Sequence, residues 1–144
     1  MKLSGNFTLA ELTATRTGLP NEPGALEEQK LLYLANYVLQ PVRDRWGRVR
    51  ISSGYRSPAV NIAAKGSSTS QHLPGEAADI VPLDSDIRDV YRWLVEESRI
   101  AFGQAIYETA WIHVSLVRMD RPNGEALVYD GRDFRKYSKQ EVLR

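Results

Sequence analysis

Ser70-Gln71-His72-Leu73-Pro74-Gly75-Glu76-Ala77-Ala78-Asp79-Ile80-Val81 runs from a polar loop into an apolar segment, with a histidine near its entrance and a carboxylate inside it. Residues 77–81 read as a strand, and Asp79 stands in it between Ala78 and Ile80. A carboxylate buried there is costly unless a metal or a cation compensates it. Glu76 shares the alternation of Ala78 and therefore points away from Asp79. Gly75, Ala77 and Ala78 are small enough to let other groups come close.

Upstream of this stretch the pattern is mainly helical. Thr8 and Glu11 form a capping-box signature for a short helix over 7–16. Leu31, Ala35, Val38, Val42 and Trp46 recur at spacings of four, three, four and four, which is one face of a long helix over 25–46. Pro41 is expected to kink or break it, and Gly47 to end it. A short strand follows at 49–52. A helix over 58–65 begins with Pro58 in its first turn and Ser57 as its cap. The Gly- and Ser-rich stretch 65–71 is a surface loop.

Downstream, Ile87, Val90, Tyr91, Leu94 and Val95 mark a helix over 85–98. Strands are expected at 104–107, 111–117 and 126–129, with Asn123-Gly124 as a hairpin turn between the last two. The charged tail reads as a short helix. Helices followed by strands joined through hairpins predict an α+β domain, an antiparallel sheet flanked by helices. No linker or repeat divides the 144 residues, so one domain over 1–144 is expected.

Composition excludes several function classes. The 19 basic and 18 acidic residues leave a net charge of +1, without the basic excess of a nucleic-acid binder. There is no cysteine, so disulfides, thiolate metal sites and cysteine nucleophiles are excluded. No stretch approaches the roughly 20 apolar residues of a membrane span. The first residues lack a signal-peptide core, so synthesis in the cytoplasm is expected, with export by a route that this sequence does not encode.

Only two histidines are present. His72 opens the segment quoted above, and His113 lies within Trp111-Ile112-His113-Val114-Ser115. Alternation puts Trp111, His113 and Ser115 on one face of that strand, the less apolar one. His72, Asp79 and His113 make a three-ligand set, which leaves a fourth position open as in catalytic zinc sites. On residue type alone, a lone histidine in a strand is more often a structural residue with its hydrogen bonds satisfied than a ligand.

Three motifs in order carry a resemblance. Ser70 to Asp79 resembles the Ser-x-His-x-x-Gly-x-Ala-x-Asp motif of the zinc D-alanyl-D-alanine carboxypeptidases. Ser53-Gly54-Tyr55-Arg56-Ser57-Pro58 with Asn61, and Trp111 to Ser115, are similar to that family's flanking segments. Phe7-Thr8-Leu9-Ala10-Glu11-Leu12 and Pro41-Val42-Arg43 are similar to its phage and prophage branch.

The resemblance implies a fold shared with the hedgehog signalling domain and zinc held by His72, Asp79 and His113. It also implies hydrolysis of peptide bonds in the peptidoglycan stem, as an endopeptidase or a D-alanyl-D-alanine carboxypeptidase, by a phage or prophage lysis enzyme. A monomer acting on the cell wall after release is expected.

Amide hydrolysis further needs a base for the attacking water and a positive group for the oxyanion. Arg56 suits the second role, because its planar guanidinium can pair an oxyanion or carboxylate bidentately. Many family members carry an acid three positions before the second histidine, where this chain has Ala110. Glu108, five positions before His113, is the candidate base. Ser70 and Gln71 are candidates to contact substrate or to orient His72. The alanine at 110 also supports an alternative, a non-catalytic binding or virion-structural module with the same zinc fold.

Overall fold

Thr8 caps α1 (Leu9–Thr13), a shorter helix than expected, through a complete capping box with Glu11. The computed structural model describes residues 1–144. The long apolar stripe is one helical run from Ala25 to Trp46, divided into α2 (Ala25–Leu34), a π-helical turn (Ala35–Leu39) and α3 (Gln40–Trp46). Leu31, Ala35, Val38 and Val42 are fully buried along it, while Trp46 is only partly covered. Pro41 does not break the helix. The chain widens just ahead of it, and the Gln40 N–H donates to the Ala35 carbonyl. The proline ring removes one donor and crowds the preceding turn, and the wider turn accommodates both.

The strands β1 (Val49–Ser53), β2 (Ala77–Pro82), β3 (Gln104–Tyr107), β4 (Ile112–Ser115), β5 (Glu125–Tyr129) and β6 (Phe134–Lys136) form one sheet in the order β1-β2-β4-β3-β5-β6. Helices α4 (Pro58–Ala63) and α5 (Ile87–Glu96) complete the fold. All neighbouring strands pair antiparallel except β3 and β5, which are parallel.

That parallel pair corrects one expectation. Asn123-Gly124 does not join β4 to β5 as a hairpin, because β5 lies beside β3. Asn123 instead closes its own loop: Oδ1 accepts from the Arg118 N–H at 2.8 Å, and Nδ2 donates to the Arg118 carbonyl at 2.7 Å. Gly124 keeps the positive φ of a turn, +71°. The local chemistry is therefore that of a turn, but the strand partner is set by burial of Val128 beside Tyr107. The tail differs too, since it contributes the short edge strand β6 rather than a helix.

The strand registers sort the side chains onto two faces. Ala78, Ile80, Ala105, Tyr107, Ile112, Val114 and Val128 belong to the buried core, with α5 packed on β2 and β3. Tyr91 of α5 fixes this layer by donating its hydroxyl to the carbonyls of Leu127 and Ala105, at 2.7 and 3.2 Å. On the other face Ser53, Asp79, His113, Ile106 and Leu127 stand opposite one another in a single row across five strands.

Gly54 joins this sheet to α1. A Cβ there would lie 2.3 Å from the Leu12 carbonyl oxygen, which accepts the Tyr55 N–H at 2.8 Å. Gly54→Ala should therefore cost about 1–3 kcal/mol through overpacking. A melting curve is expected to shift down by several degrees, and an unchanged midpoint would show that α1 can yield.

Candidate metal centre and cleft

Three elements deliver the side chains. β2 carries Asp79 and the adjacent β4 carries His113, which are direct cross-strand partners. His72 comes from the loop after α4. Ser57 caps that helix through its Oγ, which accepts from the Val60 N–H. The helix ends with the Gly66 N–H on the Asn61 carbonyl and the Lys65 N–H on the Ile62 carbonyl. Lys65 itself takes the left-handed φ of +59°. This is the usual closing arrangement of a helix, with lysine where glycine is commoner. Buried Asn61 then donates to the Ser67 carbonyl at 2.9 Å and ties the loop to the end of α4.

One oxygen of Asp79, Oδ1, lies 3.3 Å from His72 Nε2 and 3.0 Å from His113 Nδ1. All three residues are buried, and their ligand atoms lie within 4.8 Å of one another. The remaining ring nitrogens point outward. His72 Nδ1 donates to the Gly54 carbonyl at 2.7 Å, and His113 Nε2 donates to Gln71 Oε1 at 2.7 Å. When each ring is neutral, its outer hydrogen bond uses the single proton, and two lone pairs are left facing a carboxylate oxygen. Such a cluster needs a cation in its midst. Two imidazole nitrogens and one carboxylate, each ring oriented by an outer hydrogen bond, are the donor set of a catalytic zinc site, and the residues fit that ion. When the rings instead carry a proton toward Asp79, hydrogen bonds and positive charge from His113 and His72 outweigh the burial that raises its carboxyl and hold it well below the usual carboxylate range.

Arg56 is anchored rather than free in solvent, with its side chain 17% exposed. Its Nε donates to Ser53 Oγ at 3.0 Å, Nη1 donates to Asn61 Oδ1 at 3.4 Å, and Nη2 lies 3.8 Å from Asp79 Oδ2. Glu108 follows β3 in the tight connection to β4. There Thr109 sits at φ +68° and the Ala110 N–H donates back to the Glu108 carbonyl at 2.8 Å. A non-glycine residue at such a φ is strained, and this three-residue turn aims the connection. The Trp111 indole N–H donates to Glu108 Oε2 at 2.9 Å. Burial, and then the charge of Asp79, raise the Glu108 carboxyl above its ordinary value.

The structure brings Arg56, Ser70, Gln71, Glu108 and the His-Asp-His group into one cleft of about 530 Å³, a common size for a ligand site. Ala110 is exposed. Ser70 Oγ accepts from the His72 backbone N–H at 3.2 Å, whereas Gln71 turns to His113 rather than to His72. Glu76 departs from the site as expected, pairing with Lys30 of α2 at 2.7 Å. Four contributors had no role assigned from sequence: the Gly54 carbonyl, the Trp111 indole, and Ser53 and Asn61, which anchor Arg56. Only the parity of Trp111 with His113 could have signalled the second.

Residues 5–115 match the family described as Peptidase M15, over a span that contains every ligand of the cluster. The chain belongs to this family. It is a metallopeptidase of a zinc-dependent family, and its His-Asp-His group can hold the ion. A search of curated proteins finds no match. No helix is long and apolar enough to cross a membrane.

Proposed function

We propose that this M15 peptidase hydrolyses a peptide bond in the stem peptide of bacterial peptidoglycan, through zinc held by His72, Asp79 and His113. The observation that carries the reading is the convergence of two imidazole nitrogens and one buried carboxylate oxygen within 4.8 Å of one another, in a cleft that also holds an anchored arginine and a glutamate. When bound, zinc supplies Lewis-acid chemistry, acidifying a water and polarising a carbonyl.

The chain's own groups do the rest. Glu108, fixed at Oε2 by Trp111, receives the proton of the attacking water and passes it to the leaving amine. Arg56, held by Ser53 and Asn61, faces the negative charge that develops on the carbonyl oxygen. Gln71 and the Gly54 carbonyl hold the two imidazoles in the tautomers the ligand set needs. Ser70 steadies the backbone of His72.

The 144 residues act as one monomeric domain, reaching the wall after release in phage or prophage lysis. The likeness of residues 7–12 and 41–43 to that branch supports this setting. Mass spectrometry of purified walls incubated with the pure protein tests the reading. New free termini within the stem peptide are expected, and walls left uncut at every peptide bond would overturn it.

A further inference from the structure

We propose that the groove between the long helix and the segment after α5 binds the glycan strand of peptidoglycan, with its sugar rings on Tyr33, Tyr37 and Trp93. Sugar binding stands on the groove itself, and its use in wall cleavage rests on the peptidase reading. The groove holds about 750 Å³, more than the metal cleft and within the usual range of ligand sites. Tyr33, Tyr37 and Pro41 line one side of it at steps of four. In a regular α-helix each such step drifts by about 40° around the axis. The π-helical turn over Ala35–Leu39 takes more residues per turn and counters that drift. The two tyrosine rings accordingly stack, with centroids 5.7 Å apart and planes inclined by 22°. They remain 50% and 65% exposed.

The polar atoms of this wall are unused. The hydroxyls of Tyr33 and Tyr37 and the indole N–H of Trp93 have no partner within the chain, whereas Tyr91, Tyr107 and Trp111 each donate to one. Lys30 gives one N–H to Glu76 Oε2 at 2.7 Å and keeps two for a ligand. Glu76 is balanced a second time, with Oε1 3.7 Å from Arg118 Nη1. Arg99 at the rim adds the one charge without an ionic partner. Aromatic faces with free polar tips along a nearly neutral wall match a pyranose, whose C–H face is apolar and whose edge carries hydroxyl and acetamido groups. An acyl chain would leave those tips unmatched, and an acidic peptide would meet a single free cation.

Groove and cleft open at the same end of the sheet. Glu76 and Leu116 stand just outside β2 and β4, and the Leu116 N–H donates to the Glu76 carbonyl at 2.8 Å. The Glu76 N–H in turn donates at 3.1 Å to the carbonyl of Gln71, the partner of His113. A glycan held in the groove keeps the cleft among the stem peptides that the same strand carries. Their effective concentration rises without a new contact at the metal centre.

Calorimetric titration of the zinc-loaded protein with a β-1,4-linked hexamer of N-acetylglucosamine, which carries no peptide, tests the site. Saturable binding is expected. In NMR spectra of the parent, the indole N–H signal of Trp93 should move on addition of the hexamer, while that of Trp111, in the metal cleft, stays in place. The Tyr33→Ala/Tyr37→Ala variant removes two exposed rings and should bind the hexamer at least about tenfold more weakly. It should free peptides more slowly from intact walls and cut a soluble stem peptide at the parental rate. Absence of hexamer binding, a shift at Trp111 in place of Trp93, or undiminished affinity in the variant would overturn the inference. Occupation of the groove by anionic lipid vesicles or a polyglutamate peptide in place of the hexamer would do the same. Hexamer bound at Trp93 by a protein that cuts no wall peptide keeps the site and overturns the peptidase reading.

Discussion

Glu108→Gln is expected to keep its fold and its metal while hydrolysing wall peptides about 10²–10⁴ times more slowly. Glutamine nearly matches glutamate in shape and can still accept the Trp111 indole N–H, so the turn at Thr109 should be preserved. Only the capacity to receive a proton is lost. The pH profile carries the same signature. A base must be unprotonated, so activity falls as pH drops through the pKa of Glu108. Burial and the neighbouring Asp79 raise that pKa, and the fall should come at higher pH than for a solvent-exposed glutamate. A bound cation would offset the contribution of Asp79 but not that of burial. The variant should lose this acidic limb. A Glu108→Gln protein that solubilises walls at the parental rate would place the base elsewhere.

His72→Ala and His113→Ala are expected to have the largest effect of all. Each removes one of three ligand atoms and leaves Asp79 buried beside a single imidazole. Zinc affinity should drop by more than the roughly 10–100-fold that follows loss of an outer hydrogen-bond partner. Hydrolysis should fall with it. Elemental analysis after dialysis reads the first effect and peptide release the second. Retention of one tightly held zinc by either variant would remove these residues from the ligand set.

Much of this arrangement is legible in the sequence because burial imposes periodicity. The stripe Leu31, Ala35, Val38, Val42 marks the long helix, and the apolar neighbours of Asp79 and His113 mark two strands. Parity within those strands put Asp79 and His113 on the open face, and cross-strand pairing made them partners. What stayed hidden depends on distant or local geometry that carries no period. Asn123-Gly124 has the chemistry of a hairpin, but no local signal tells that β5 will lie beside β3. Pro41 predicts a disturbance without saying that a wider turn will take it up. The tail is charged and short, and its edge strand is defined only by β5. The partner of His113 is likewise non-local, because Gln71 reaches it across 42 residues of sequence.

The alanine at position 110 leaves open in the sequence whether this cleft works as an enzyme. The structure puts Glu108 in the same cleft as the ligand set by means of a strained turn, so an acid is present without one at 110. A zinc titration of wall hydrolysis by the chelated protein tests this account most directly. Peptide release should vanish on chelation and return to its full rate at one zinc per chain. Release that persists without metal, or a protein holding one zinc that frees no peptide, would contradict it.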